Sequence, residues 1–202
     1  MQILMIDMGH SSVDPLNGKK SPDNTFHEWS FNRKLGRALI EELKKRGYDA
    51  RPVVYENEDN KKISLTERVR RTNAVCDKVG TKNVLFISIH ANAAGNGQWM
   101  KARGWSAYVS KNCSQASKDL AGCIFDGIAT QGFKMRQPLP GQKYWQENFT
   151  VITKTKCKAV LTESLFYDNK EDLEILKSED GFRRLLQGHV DGIIEYLTKH
   201  HT

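Results

Sequence analysis

No apolar run in the sequence is long enough to cross a bilayer. The longest, such as Ile3–Ile6 and Val84–Ile89, fall far short of the roughly 20 residues that a spanning helix needs. The amino end reads Met-Gln-Ile-Leu-Met-Ile-Asp-Met-Gly-His and has neither a basic segment nor a small-residue cleavage site. That argues against a signal peptide. None of the four cysteines, Cys76, Cys113, Cys123 and Cys157, belongs to a C-x-x-C pair. This argues against a zinc knuckle or a thioredoxin-type motif and leaves the expectation of four reduced thiols. Repeats and low-complexity stretches are lacking, and no shift in composition marks a second domain. A single domain spanning 1–202 is expected, with no separate binding domain.

What is present is ordinary globular composition. Hydrophobic residues make up 39% and charged residues 27% of 202 residues, which suits one soluble domain and excludes a collagen or a disordered tail. The 31 basic residues against 24 acidic ones leave a formal charge of +7. A basic surface suits a polyanion: nucleic acid, an acidic membrane or an anionic wall polymer. The interleaved aromatic and basic motifs of RNA modules, and any recognisable DNA-binding motif, are missing. No nucleic-acid partner is therefore expected.

Elements of the two types alternate along the chain, which predicts an α/β domain: a mostly parallel or mixed twisted sheet of about six strands with helices on both faces. Gln2–Met8, Tyr48–Tyr55, Val84–Ile89, Gly104–Ser110 and Lys158–Phe166 read as strands. Helices are expected over Glu28–Arg46, Ser64–Val79 and Gln115–Gln131, with Ser64 and Glu67 spaced as a capping box. An apolar stripe from Phe182 to Leu197 predicts a last helix, with His189 packed at its edge and His200-His201 as its frayed end. His10–Phe26, Ala93–Arg103 and Lys134–Asn148 are rich in Gly, Asn, Ser, Pro and Gln and read as loops.

The ends of these elements carry the chemistry. The first strand runs into His10, the strand from Val84 into His90-Ala91-Asn92, and the strand from Lys158 into Glu163; a helix opens at His27-Glu28. Imidazoles and a carboxylate are the donors that zinc takes in hydrolytic sites, with one position kept for water. His10, Glu28 and His90 fill three positions, His27 is a rival to Glu28, and Glu163 remains as a base. Each of these residues alone has a plainer reading, as a turn histidine or a solvated helix-start charge.

The order of the motifs decides between these readings. Asp7-Met8-Gly9-His10, Glu28, the helix residues Leu65, Arg68 and Asn73, the block Ser88-Ile89-His90-Ala91-Asn92, then Gly104-Trp105 and the run Leu161 to Asn169 around Glu163 follow one another over nearly the whole chain. In this the chain resembles the zinc-dependent N-acetylmuramoyl-L-alanine amidases of the type 3 family, which cleave peptidoglycan. The resemblance implies one zinc ion on His10, Glu28 and His90, Glu163 as the general base, and hydrolysis of the amide between the muramyl lactyl group and L-alanine. Asp7 is expected to bond the outer ring nitrogen of a ligand histidine, and Asn92 to touch substrate. Trp99, Tyr144 and Trp145 are candidates to stack on substrate or to pack over the sheet edge. Glu147 is considered as an acidic residue that could block the zinc, and an unblocked site is expected.

Two departures stand out. The family has two glycines after the first histidine, where this chain has Ser11-Ser12. It also has a glycine where Leu165 stands, a position at which positive φ is costly for leucine. The resemblance further implies a monomer acting on peptidoglycan. It would be either a phage-type lysin made in the cytoplasm without a signal peptide and released to the wall, or a remodelling enzyme whose leader is gone. A zinc-containing but non-catalytic peptidoglycan-binding domain is the rival reading, and it has no use for Glu163.

Overall fold

The computed structural model describes residues 2–14, 19–95 and 97–200. Parts of the loops expected at His10–Phe26 and Ala93–Arg103, and His201 of the expected frayed end, lie outside the described residues. Six strands, β1 (Ile3–Met8), β2 (Asp49–Pro52), β3 (Val84–Asn92), β4 (Ser106–Val109), β5 (Trp145–Gln146) and β6 (Lys158–Phe166), form one sheet in the order β2-β1-β3-β6-β4-β5. All neighbouring pairs are parallel except β4 with β6. Among the described residues six α-helices accompany them: α1 (Glu28–Lys45), α2 (Leu65–Val79), α3 (Gln115–Ala129), α4 (Thr150–Thr153), α5 (Lys170–Lys177) and α6 (Glu179–Lys199). The mixed α/β sheet matches the sequence reading. Strand β5 and helices α4 and α5 do not appear in it. β5 is two residues long inside a Gly-, Pro- and Gln-rich segment, too short for a period-2 pattern to register.

Alternation along the strands sorts side chains onto two cores. Leu4 and Ile6 of β1, Leu85, Ile87 and Ile89 of β3 and Val160 of β6 face α1, α3, α5 and α6. Ile3, Met5, Val84, Phe86, Ala159 and Leu161 face the other way, under α2 and α4. His90 and Glu163 continue this second alternation, so both rise from the α2 face at the carboxyl ends of adjacent strands. His189 is buried on α6, bonded to the Leu185 carbonyl at 2.8 Å and to Thr162 Oγ1 at 3.1 Å, as a packed helix residue should be. Among the described residues, no helix is long and apolar enough to cross a membrane.

The expected capping box is half formed. Ser64 Oγ accepts the Glu67 N–H at 3.1 Å, but the Glu67 carboxylate turns out to Arg70 and Arg71. Two arginine forks at the surface outbid one backbone amide. The four cysteines are free thiols.

The β3–β6 register shifts between His90 and Asn92: His90 pairs with Glu163, but Asn92 pairs with Phe166. The extra residue on β6 is a bulge, and Leu165 takes φ +63° to make it. The leucine at the family's glycine position thus keeps the left-handed turn. Its side chain is buried in the first core, which holds it there. Asp172 accepts the Phe166 N–H at 3.1 Å, replacing a ladder bond near the bulge. We expect Leu165→Gly and Leu165→Ala both to lower stability through the lost side chain. The glycine variant should be the more stable of the two by about 1 kcal/mol, because only alanine retains the left-handed strain. Denaturant unfolding of both variants checks this; alanine equal to or above glycine would contradict it.

Candidate metal centre and active site

The turn after β1 is set by two arginines from opposite helices. Arg68 of α2, 3% exposed, donates to Asp7 Oδ1 at 2.6 Å, to the Met8 carbonyl at 2.7 Å and to the His10 carbonyl at 3.1 Å. Arg33 of α1 donates to the Met8 carbonyl, to the Gly9 carbonyl at 3.3 Å and to the His10 carbonyl at 2.6 Å. Three successive carbonyls are thereby satisfied in a turn where His10 has φ +62°, a costly conformation for a residue with a side chain. Gly9 is required for a different reason. A Cβ there would fall 2.2 Å from the His90 ring, so the first motif ends in Gly-His because the second histidine packs against the glycine.

This turn brings three donors together. Glu28 Oε1 lies 3.3 Å from His10 Nε2 and 3.1 Å from His90 Nδ1. One donor atom from each of His10, Glu28 and His90 lies within 4.8 Å of the others. Glu28 opens α1 but is no solvated dipole charge, because it is 1% exposed. Its Oε2 is buried with no hydrogen-bond partner, with Lys19 Nζ 4.0 Å away. His27, the rival, caps α1 from an extended backbone and forms a bridge to Lys20. Asn32, one helical turn after Glu28, donates to Glu28 Oε1 at 3.3 Å and to the Gly9 carbonyl at 3.2 Å. The i, i+4 spacing on one helix face was the available signal for it.

Asp7 does not play the expected part. Its carboxylate is taken up by Arg68 and by Ser88 Oγ at 2.7 Å. The acid that meets His10 Nδ1 is Asp14, at 3.1 Å, which also accepts the Ser11 N–H at 3.1 Å. Asp7 sits inside β1, whose alternation points it under α2, whereas Asp14 lies on the same loop as His10 and folds back onto it. Ser12, one of the two serines in the glycine positions, donates its Oγ to the Asp59 carbonyl at 2.9 Å and ties this loop down.

Glu163 stands beside His90 in the sheet register and opposite Ser106 of β4. It is half-buried, and its Oε2 has no partner. Asn92 Oδ1 accepts the Ala93 N–H at 2.9 Å, and its side chain approaches the Tyr108 hydroxyl. Asp168 Oδ2 accepts the Ala94 and Gly95 N–H groups at 2.7 and 2.8 Å. Asn169 caps α5 and donates to the Met100 carbonyl at 3.1 Å. The last residues of the Glu163 motif thus moor the loop after β3. Trp99 is 38% exposed on that loop, with Lys170 Nζ 5.5 Å over its ring. Tyr144 packs on the first core, and Trp145 stacks on Tyr108 at the sheet edge. Glu147 is bonded through its N–H to Val109 and is not in the donor group. A cleft of about 560 Å³ opens beside the centre, lined by His10, His90, Arg68, Lys62, Leu65 and Val151 among others.

Burial and neighbouring charge set the protonation states. Burial pulls His10 down to about 4 despite the charge of Glu28, which keeps it a neutral imidazole. Burial also works on His90, but the hydrogen bond to Glu28 and the charges of Glu163, Glu28 and Asp7 outweigh it and raise its pKa. Burial opposes ionisation of Glu28, yet His90, His10 and Lys19 hold its pKa below the usual carboxylate value. Glu163 goes the other way: burial, helped by the Glu28 charge and opposed by His90, pushes it up to about 8. Two carboxylates at one site are thus driven to opposite states.

The chain matches the family model described as N-acetylmuramoyl-L-alanine amidase over residues 4–195. The chain belongs to that amidase family. It is similar to an endolysin of Bacillus phage SPP1, with 30% identity over 200 residues that cover 97% of this chain and 66% of the endolysin. The chain therefore spans just under two thirds of that relative. The catalytic domain of CwlV, an N-acetylmuramoyl-L-alanine amidase of Bacillus (Paenibacillus) polymyxa var. colistinus, superposes with a TM-score of 0.79 at 28% identity over 98% of this chain and 99% of that one. Ami1 of Mycobacterium smegmatis has the same fold, with a TM-score of 0.84 at 18% identity over 98% of each chain.

A pH experiment tests the Glu163 assignment on the chelator-treated protein. Its folded pKa of about 8 exceeds the ordinary value of 4.5. The folded state therefore keeps a proton that the unfolded state loses. The associated stability is full below 4.5 and is lost as pH rises through 8. His10 and His90 also change protonation in or near this window, so the contribution of Glu163 is read as the difference between the wild type and Glu163→Gln. We expect the melting temperature of the metal-free protein to fall between pH 6.5 and 8.5, and to fall less in Glu163→Gln. Equal slopes for the two proteins would contradict the assignment.

Proposed function

We propose that the protein hydrolyses the amide between the muramyl lactyl group and L-alanine in peptidoglycan, with zinc on His10, Glu28 and His90 and with Glu163 as general base. The observation that carries this reading is the free, shielded Glu163 carboxylate one strand from a compact imidazole–carboxylate–imidazole group. A site that only binds wall polymer has no use for such an acid. The donor set suits zinc, and the unpartnered Glu28 Oε2 is a buried anionic atom that a cation would satisfy. Zinc, when bound, supplies Lewis-acid polarisation of a carbonyl and an acidified water.

The chain's own residues supply the rest. Asp14 fixes the His10 ring through Nδ1 and leaves Nε2 for the centre. Neutral His10 and anionic Glu28 are the forms that donate electron pairs. Glu163 accepts a proton from the attacking water and returns it to the alanine nitrogen, which departs as a neutral amine. Its raised pKa suits both transfers, since the carboxyl binds the proton tightly enough to hold it and releases it near neutral pH. With a dication held by His10, Glu28 and His90, the Glu163 carboxylate would be ionised nearer the working range. Asn92, two residues after His90 on β3, would touch substrate, with its side chain beside the Tyr108 hydroxyl.

The similarity to a phage endolysin supports a lysis enzyme that reaches the wall after release from the cell. The formal charge of +7 suits an anionic wall.

Digestion of purified peptidoglycan tests the reading. New amino-terminal L-alanine is expected, lost on chelation and restored by zinc. Glu163→Ala should retain zinc and lose about 10²-fold or more in kcat, whereas His90→Ala should lose both zinc and turnover. End groups other than alanine would overturn the named bond. Near-normal turnover of Glu163→Ala would overturn the base.

A further inference from the structure

A half-buried arginine over the β5–β6 end of the sheet has no acidic partner among the described residues. Arg136 lies on a segment that bridges to Trp105: the Trp105 N–H donates to the Lys134 carbonyl and the Arg136 N–H to the Trp105 carbonyl, both at 2.8 Å. The approach is close enough that a Cβ on Gly104 would come 2.6 Å from the Lys134 carbonyl oxygen and 3.1 Å from Arg136 Cγ. The guanidinium rests over Phe166 of β6, 4.7 Å from the ring centroid, and is 5.7 Å from that of Trp145 of β5. Such stacking occupies the faces of the planar group and leaves its edge N–H donors free. Among the described residues no carboxylate or carbonyl takes them. Tyr108 stacks on the same Trp145 ring and lies within reach of the charges of both Arg136 and Glu163.

The position fits one part of the substrate. On the glycan side of the scissile amide, the sugar and lactyl group carry hydroxyls and acetamides, and their carboxyl is consumed in the amide. Free carboxylates lie on the peptide side. Neighbouring strands are about 4.8 Å apart; β5 is two strands from β6 and Phe166 is on the same strand as Glu163, so the guanidinium lies on the order of 10 Å from Glu163. An extended peptide advances about 3.5 Å per residue, which places the second stem residue about 7 Å beyond the scissile nitrogen.

We infer that Arg136 receives the free α-carboxylate of the second stem residue, a γ-linked glutamate, and so sets a preference for acidic over amidated stems. The inference rests on the amidase reading above. It assigns the peptide side of the substrate to the β4–β5 edge and the glycan side to the cleft by α2.

Two muramoyl tripeptides, L-alanyl-γ-D-glutamyl-L-lysine with that carboxylate free or as the carboxamide, test it on the zinc-loaded protein. The ratio of kcat/KM for acid over amide should be about tenfold or more in the wild type, as expected for a charge-assisted bidentate contact. It should fall to about one in Arg136→Met through KM, with partial recovery in Arg136→Lys. A wild-type ratio near one, or a ratio unchanged in Arg136→Met, overturns the inference and leaves the amidase reading standing. Calorimetric binding of the two free tripeptides to the same proteins supplies a readout without turnover. Tighter binding of the acid form that depends on Arg136, with no free tripeptide released from either muramoyl substrate, supports the carboxylate site and overturns the amidase reading. Equal binding of the two forms by all three proteins overturns the site.

Discussion

Two buried guanidinium groups hold the turn on which the whole centre depends. The carbonyls of Met8, Gly9 and His10 point into protein rather than water, and Arg33 and Arg68 satisfy them from helices on opposite faces of the sheet. Without those donors the turn would bury unpaired acceptors, at about 1–3 kcal/mol each, and His10 would have no reason to stay at positive φ. Buried ion pairs such as Arg68–Asp7 add little net stability compared with apolar packing. Their value here is geometric: they fix where His10 leaves β1. The same turn lets Gly9 take the His90 ring, so that both imidazoles converge on the Glu28 carboxylate.

From that geometry the electrostatics follow. Glu28 is enclosed between two imidazoles and a lysine and stays anionic; Glu163, one strand further on, has less cationic company and holds its proton to higher pH. The bulge at Leu165 lies just beyond Glu163 and bends β6 so that Phe166 falls level with Asn92. The result is an asymmetric site, with a basic, aliphatic cleft under α2 and an aromatic edge at β4 and β5.

Much of this was legible in the sequence because strand ends announce themselves. Apolar runs stop at His10, His90 and Glu163, and a parallel sheet gathers its carboxyl ends at one edge. Glu28 was legible from its place at a helix start within an ordered set of motifs, although its burial was not. The identity of the carboxylate on His10 could not be read. Asp7 is nearer in sequence to the motif, but strand alternation sends it to Arg68, while Asp14 reaches His10 through a loop fold that has no periodicity. Arg33 is a polar side chain in an amphipathic helix, and nothing local signals that it will be buried against backbone carbonyls; for Asn32 the i, i+4 spacing from Glu28 was the one available hint. β5 escaped because a two-residue strand has no pattern of its own and exists only because β4 offers it an edge.

The most direct test of the clamp is the zinc affinity of Arg33→Met, measured by competition with a chromophoric chelator. This variant removes one side of the clamp yet leaves Asp59 paired with Arg37 and Asp7 paired with Arg68, so the fold should survive, as circular dichroism can verify. Loss of a group that orients a metal ligand typically weakens binding by about 10–100-fold, and that is the result expected here. A folded Arg33→Met protein that binds zinc as tightly as the wild type would contradict the claim that the arginines position His10.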